Sequence, residues 1–178
     1  QTKGNIIDNT ISNSEILVVT VEAENEIAQP TNPVVQEPQT DGLGVYTAED
    51  GRQYKTESIL KIPVLDLNYP ILSEQSEELL KISLNKYWGP APNEVGNYCV
   101  VGHNYRSGKM FGNLSKIKNG DKVELTDPSG RTLTYSVYNK FIVEPTDTDC
   151  TSQITNGYKE LTLITCTNQG KQRLVVKC

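Results

Sequence analysis

The chain has 178 residues, of which 36% are hydrophobic and 22% charged, and its net charge at pH 7 is −5. This length predicts one domain with room for an appended tail, large enough to bury a core without metal or disulfide support. The absence of a dense basic block or of alternating aromatic and basic residues excludes a typical nucleic-acid binder. No run of roughly eighteen apolar residues is present, so no segment reads as a transmembrane helix.

Residues 1–43 have the composition of a flexible acidic spacer. Residues 1–50 hold one base against nine acids, whereas residues 51–178 hold sixteen bases against thirteen acids. The stretch AQPTNPVVQEPQTDG (28–42) is too polar to offset the entropy cost of ordering it. The apolar run ILVVTV (16–21) is the exception, because its composition predicts either a fraying strand or an exposed hydrophobic segment. We therefore predict a spacer over 1–43 and one compact domain over 44–178.

The first half of the compact domain predicts short strands and one helix. Residues 45–56 read as a hairpin around Asp50-Gly51. Residues 58–72 alternate apolar and polar side chains, with prolines that place them at edges or strand ends. The clearest helix is predicted over 73–89, with Ser76 as its cap and acidic residues in the first turn.

The second half continues with short strands between turns. An apolar strand over 97–104 ends at Gly-His, and residues 111–121 predict one or two helical turns. Residues 122–143 predict a hairpin around Asp127–Gly130, and two further strands follow over 160–166 and 173–178. Short strands without βαβ alternation predict a mainly β fold, a closed and largely antiparallel barrel with one or two short helices.

The four cysteines are Cys99, Cys150, Cys166 and Cys178, and the chain has a single histidine, His103. No CxxC pair occurs, which argues against a zinc site or a thioredoxin-like site. Free thiols are favoured over a disulfide, for which Cys150 with Cys178 is the pair to consider.

Three residues at predicted strand ends could carry chemistry together. Taken singly, Cys166 reads as a buried thiol, His103 as a satisfied structural histidine and Arg173 as a solvated charge. At one rim of one barrel, a neighbouring cation would favour the thiolate of Cys166. His103 could then protonate a leaving amine and Arg173 could hydrogen-bond an oxyanion. This combination predicts amide cleavage through a thioacyl intermediate.

These residues occur in motifs that resemble the sortase family, the cysteine transpeptidases of Gram-positive cell surfaces. The motifs are TLITC (162–166), VVGHN (100–104) and the arginine that opens the next strand. ILKIPVLDLNYPI (59–71) is similar to the early strands of the family, so the resemblance covers essentially the whole compact domain. It implies an eight-stranded sortase-type β-barrel.

The resemblance also implies roles for individual residues. Cys166 attacks the threonine carbonyl of an LPXTG-like sorting signal on a surface protein, and the Thr–Gly bond breaks. His103 transfers protons, Arg173 steadies substrate and intermediate, and Thr165 helps to shape the substrate pocket. An amine from a cell-wall precursor or a pilin lysine then resolves the thioacyl enzyme. No cofactor is implied.

Localisation follows from the same resemblance. Because the sequence begins with Gln1 rather than Met, we expect a segment upstream of it. The resemblance implies that this segment anchors the protein to the outer face of the cytoplasmic membrane of a Gram-positive bacterium. Residues 1–43 would then space the barrel from the membrane.

Features of several sortase classes are combined in this chain. GHNYRSGKMFGNL (102–114) is similar to class B, but residues 144–160 are too short for the helical insert of that class. No Asp-Pro-aromatic lid of the class C type precedes the barrel, and the short loop TNQGKQ (167–172) is typical of a compact class D-like enzyme. We favour class D.

Two questions stay open beside this interpretation. Some class A sortases bind calcium through loop acids, and Glu94, Asp147, Asp149 and Glu160 lie in predicted loops; ordinary solvated acids are the better interpretation, and we predict no metal. The alternative function is a non-catalytic secreted β-barrel, a binding or adhesion module with structural cysteines. A sortase-like domain without turnover is less favoured because all three catalytic positions are filled.

Overall fold

The computed structural model describes residues 44–178, and the predicted spacer over 1–43 lies outside the described residues. The described chain forms ten strands and one α-helix. Their bounds are β1 Val45–Thr47, β2 Gln53–Ile62, β3 Leu67–Leu72, α1 Glu77–Ile82, β4 Leu84–Trp88, β5 Gly96–Val101, β6 Lys122–Thr126, β7 Thr132–Ser136, β8 Asn139–Val143, β9 Lys159–Thr167 and β10 Gln172–Lys177. Short 3₁₀ turns lie at Pro63–Leu65, Leu114–Lys116 and Asp149–Thr151.

The strands form one curled sheet in the order β7-β6-β2-β3-β4-β5-β9-β10-β8, and β1 pairs with the first residues of β2. The predicted mainly β architecture is confirmed. The strand count differs from the expected eight, because 122–143 holds three strands rather than a two-stranded hairpin and 84–88 is a strand. Within residues 44–178 the ladder runs from β7 to β8 with no pairing between these two end strands, so the barrel is a half-closed curl.

The helix predicted over 73–89 is much shorter than expected. Its cap is as predicted, since the Ser76 hydroxyl accepts a hydrogen bond from the Leu79 amide at 3.1 Å. The helix ends at Ile82, where Ser83 turns to an extended backbone with φ −163°. Leu80 and Leu84 are four residues apart, which mimics helical spacing, but they bury in different clusters. Tertiary packing of Leu84 in the main core therefore outweighs local helix propensity.

Side chains that alternate along the central strands fill two separate apolar clusters, because successive residues of a strand face opposite sides. The main core lies inside the curl and contains Val100 of β5 and Leu163 of β9. The second cluster lies on the other side of the sheet and consists of Leu80, Val101, Cys150, Ile164 and Val175. Helix α1 supplies Leu80, so this helix covers the face that carries the second cluster.

All four cysteines are free thiols, and the disulfide considered for Cys150 and Cys178 is not formed. Cys99 is fully buried. Among the helices within residues 44–178, none has the length and apolar character needed to cross a bilayer.

Candidate active site

The pairing of three strands places the three predicted catalytic residues at one rim of the sheet. The parallel ladder between β5 and β9 ends with Val101 opposite Ile164, and His103 and Cys166 lie two positions further on. On the other side of β9, Arg173 is the direct cross-strand partner of Cys166. Since alternate residues share a face, all three side chains lie on the face of the second cluster, at one rim of the sheet.

Three hydrogen bonds continue this contact beyond the last ladder pair. The Gly102 amide donates to the Ile164 carbonyl at 3.2 Å, and the Thr165 hydroxyl donates to the Gly102 carbonyl at 2.7 Å. The Asn104 side chain donates to the Cys166 carbonyl at 2.8 Å. The backbones on either side of His103 are therefore fixed to the strand that carries the nucleophile.

Thr165 is 1% exposed in the free protein. Its hydroxyl is engaged by the backbone next to His103, so in the free protein it holds the histidine segment in place. A contact of Thr165 with substrate stays a prediction.

Gly102 is required by the core rather than by substrate. A Cβ at this position would lie 2.5 Å from Cδ2 of Leu84 and 2.8 Å from Cδ2 of Phe111. Both of these side chains are buried in the main core. The close neighbours of Gly102 are therefore two core side chains.

Burial shifts the pKa values of the Cys166 thiol and the His103 imidazole toward their uncharged forms. Burial raises the pKa of Cys166, and the charge of Arg173 opposes this shift. Burial also lowers the pKa of His103, with a further contribution from Lys81 and an opposing one from Glu77. Each shift favours the uncharged form, so we expect a neutral thiol and a neutral imidazole in the free enzyme.

Arg173 is a buried cation whose Nε donor is unused. Its side chain is 3% exposed. Nη1 donates to the Gly170 carbonyl at 2.9 Å and to the Gln172 carbonyl at 3.0 Å. The Nε hydrogen is buried without a hydrogen-bond partner among residues 44–178. A buried donor without an acceptor is costly, and an oxygen bound beside Cys166 would satisfy it.

Asn104 is a site residue that sequence reasoning treated only as a class marker. Its signal was its position directly after the single histidine, at the end of an apolar strand. The hydrogen bond to the Cys166 carbonyl depends on the parallel alignment of β5 with β9, which the order of the chain does not reveal.

Three of the four loop acids considered for calcium have other partners. Glu94 pairs with Arg131 at 3.2 Å, and Glu160 pairs with Lys177 at 3.6 Å. Asp147 accepts a hydrogen bond from the Asp149 amide. In the described part of the chain, no three His, Cys, Asp or Glu side chains gather as metal ligands.

A cleft of about 570 Å³ lies at the opposite end of β5 and β9. Trp88 is among its lining residues. It is the last residue of β4, whereas the sequence predicted it within the helix over 73–89. The cleft contains none of the three predicted catalytic residues. Strand pairing, not cavity size, therefore locates the chemistry.

A partly buried thiol, with an arginine at the cross-strand position and a histidine just beyond the end of the neighbouring strand, fits a cysteine-dependent acyl-transfer enzyme. A family model of the sortase domain matches residues 60–178. The chain therefore belongs to the sortase family of cysteine transpeptidases.

Solved sortase structures resemble this chain at similar levels. The sortase D5 transpeptidase of Clostridium perfringens is 27% identical over 69% of this chain and 77% of that chain, with a TM-score of 0.62. Sortase A of Corynebacterium diphtheriae is 27% identical over 70% and 60%, with a TM-score of 0.64. Sortase C-1 of Actinomyces oris is 27% identical over 67% and 70%, with a TM-score of 0.62. No curated protein sequence matches the chain.

Proposed function

We propose that this sortase cleaves an LPXTG-like sorting signal between Thr and Gly and transfers the acyl part to an amine. The observation that carries the proposal is the unused Nε donor of buried Arg173, on the strand position directly opposite Cys166. A substrate carbonyl oxygen bound at the thiol would accept this hydrogen bond. The bond strengthens as the oxygen gains negative charge, which favours the transition state over the ground state.

In the first half-reaction the three groups have separate roles. The Cys166 thiolate attacks the threonine carbonyl carbon and the carbonyl electrons move to oxygen, where Arg173 stabilises the oxyanion. The imidazolium of His103 donates its proton to the glycine nitrogen. The oxyanion collapses, the C–N bond breaks, and a thioacyl enzyme and a free glycine amine remain.

The second half-reaction reverses these roles. An acceptor amine attacks the thioacyl carbon and gives its proton to His103, and the Cys166 thiolate leaves as the new amide forms. We propose a cell-wall precursor amine or a pilin lysine as this acceptor, with water as a slower substitute. No step requires a cofactor.

The reactive ion pair is the minor form of the free enzyme. The pKa of Cys166 is raised and that of His103 is lowered, so transfer of the proton from thiol to imidazole is uphill. A bound substrate that excludes water and accepts the Arg173 donor offsets part of this cost.

The proposed cellular setting and class extend the sequence expectations. We propose that the enzyme acts on the outer face of the cytoplasmic membrane of a Gram-positive bacterium, tethered by a segment outside this sequence. The four-residue connection between β9 and β10 supports a compact class D-like enzyme. The non-catalytic alternative depended on structural disulfides, and all four cysteines are free.

The experiment that tests the proposal incubates the protein with an LPQTG-type peptide and excess triglycine. Chromatography with mass detection should find cleavage between Thr and Gly and a new Thr–triglycine product. A peptide with the same composition in scrambled order is the matched control. Cleavage at another bond, or equal turnover of the scrambled peptide, would overturn the proposed specificity.

A further inference from the structure

The single histidine opens a closed loop, residues 103–112, that doubles back on itself. The Phe111 amide donates to the His103 carbonyl at 2.9 Å, and Asn104 and Met110 form an isolated antiparallel bridge. The Phe111 and Met110 side chains are buried in the main core. The loop is therefore held both at the histidine backbone and in the core.

The backbone of Tyr105 is fixed inside this loop. Its carbonyl accepts a hydrogen bond from the Gly108 amide at 3.0 Å. A Cβ at Gly112 would lie 2.2 Å from the same carbonyl oxygen, so the loop closes only because position 112 has no side chain. On the other side of Tyr105, the Asn104 side chain donates to the Cys166 carbonyl at 2.8 Å. Contacts on both sides therefore set the position of Tyr105.

The Tyr105 ring connects His103 to the main core. Its centroid lies 5.3 Å from that of the imidazole, and the two planes are tilted by 57°. Aromatic side chains attract each other at this separation. Tyr105 is half-buried and packs against the main core, whereas His103 lies on the face of the second cluster and is 7% exposed. One ring thus links the imidazole to the core on the other side of the sheet.

The other titratable groups at this rim lie on elements outside the loop. They are Lys81 and Glu77 of α1, Cys166 of β9 and Arg173 of β10. The two cations of the loop itself, Arg106 and Lys109, are exposed. Replacing Tyr105 by another uncharged side chain alters none of these groups. The contribution of the ring is therefore separable from the electrostatics of the site.

We propose that Tyr105 is a positioning residue that braces the His103 imidazole in the orientation needed to exchange protons with the leaving and the acceptor amine. It acts through the histidine and takes no part in bond making. A ring held in one orientation before the peptide binds spares the reaction the entropy cost of orienting its general acid. This inference rests on the proposed peptide cleavage.

The kinetic test compares Tyr105→Leu and Tyr105→Phe with a control, Tyr54→Leu. Leucine keeps apolar bulk against the core but removes the ring, so kcat for the LPQTG-type peptide should fall about tenfold as proton transfer loses its alignment. The KM should stay within about twofold of wild type. Phenylalanine keeps the ring and should recover most of kcat. An undiminished kcat in Tyr105→Leu would overturn the positioning role.

The control changes a tyrosine of similar burial at a distance from the site. Tyr54 is half-buried on β2, which is separated from β5 by β3 and β4 in the sheet. Tyr54→Leu makes the same chemical change without touching the loop. We expect its kcat and KM to match wild type, so a loss confined to Tyr105→Leu would support the brace.

Nuclear magnetic resonance of the free protein supplies a readout that needs neither substrate nor variant. Because the chain has one histidine, isotope-labelled histidine in a protein without an affinity tag gives a single Cε1–Hε1 signal. Wild type should show a nuclear Overhauser contact between the His103 imidazole and the Tyr105 ring. The absence of this contact would overturn the brace.

Titration of the same signal measures how well the ring covers the imidazole. Burial lowers the pKa of His103, so this pKa should rise toward its ordinary value in Tyr105→Leu and stay low in Tyr105→Phe and Tyr54→Leu. An unchanged titration in Tyr105→Leu would overturn the brace. If wild type cleaves no peptide, the proposed function fails, and the Overhauser contact and the titration then decide the brace by themselves.

Discussion

At the scale of single residues, the defining feature of the site is the Nε donor of Arg173, which has no hydrogen-bond acceptor among the described residues. Its Nη1 is used by two backbone carbonyls, which aims the side chain, while Nε has no acceptor among the described residues. A positioned cation with a free donor stabilises developing negative charge without reorganising at the moment of reaction. The guanidinium plane matters here as well as the charge.

Replacing Arg173 should separate charge from geometry. We expect Arg173→Ala to lower kcat/KM by about 10²- to 10³-fold, as loss of an oxyanion donor does. Arg173→Lys keeps the charge but not the fork of donors, so it should recover only a small part. Steady-state kinetics with the LPQTG-type peptide measures both, and full activity in Arg173→Lys would show that charge alone suffices.

The neutral resting pair has a direct pH signature. Because the pKa of Cys166 is raised, the rate of its alkylation should still be climbing with pH above the ordinary thiol range. Because the pKa of His103 is lowered, the acid limb of peptide cleavage should lie below the ordinary histidine value. The pH dependence of kcat/KM should therefore be bell-shaped, with its maximum between the pKa of His103 and the pKa of Cys166.

Iodoacetamide labelling across pH measures the thiol limb. Burial raises the pKa of Cys150 to about 11 and that of Cys178 to about 12. Neither thiol should therefore compete with Cys166 for iodoacetamide near pH 7. A labelling rate that is already constant by pH 7 would mean a resting ion pair and would contradict this assignment.

At the scale of elements, the parallel pairing of β5 with β9 does most to build the site. The two strands are far apart in sequence, and their ladder ends two residues before the histidine and the cysteine. The three bonds beyond the ladder carry this alignment to the reacting side chains. Gly102 is the point where this extension must pass over the core.

Gly102→Ala should test how tightly the histidine segment is packed. The new methyl group would overlap Leu84 and Phe111, so we expect a loss of about 1–3 kcal/mol in unfolding free energy from overpacking. We also expect kcat/KM to fall by more than the loss of folded protein explains, because His103 is the next residue. Thermal unfolding and peptide kinetics measure the two effects. Thr134→Ala, at an exposed position of β7, is the control. Wild-type activity of Gly102→Ala would contradict the proposed packing of the histidine segment.

The elements also show how far sequence reasoning reaches. Strands with turn punctuation were predicted well, because Asp-Gly and Pro-containing turns act locally. The predicted helix over 73–89 was wrong beyond Ile82, because Leu80 and Leu84 have helical spacing but pack on opposite faces of the sheet. The candidate residues could be chosen from their motifs, whereas the unused Arg173 donor and the Asn104–Cys166 hydrogen bond depend on long-range pairing.

At the scale of the whole molecule, the described residues contain two apolar clusters and a complete set of candidate catalytic groups. The proposed chemistry uses no residue of the predicted spacer over 1–43. Its expected role is distance, not catalysis.

Removal of residues 1–43 should therefore leave the catalytic domain intact. We expect a chain that begins at Gly44 to show the same midpoint of thermal unfolding and the same kcat/KM for the LPQTG-type peptide as the full chain. Calorimetry and peptide kinetics measure this comparison. A lower midpoint or a changed KM would mean that the first 43 residues pack on the domain or on the peptide site.

The measurement that tests the central claim most directly is the intact mass of the protein after brief incubation with the LPQTG-type peptide. We expect an added mass equal to the acyl part ending at threonine, placed on Cys166 by digestion and released by hydroxylamine. Cys166→Ala should show no adduct and should release no glycine fragment. A peptide cleaved equally well by Cys166→Ala, or an adduct on another cysteine, would contradict Cys166 as the nucleophile.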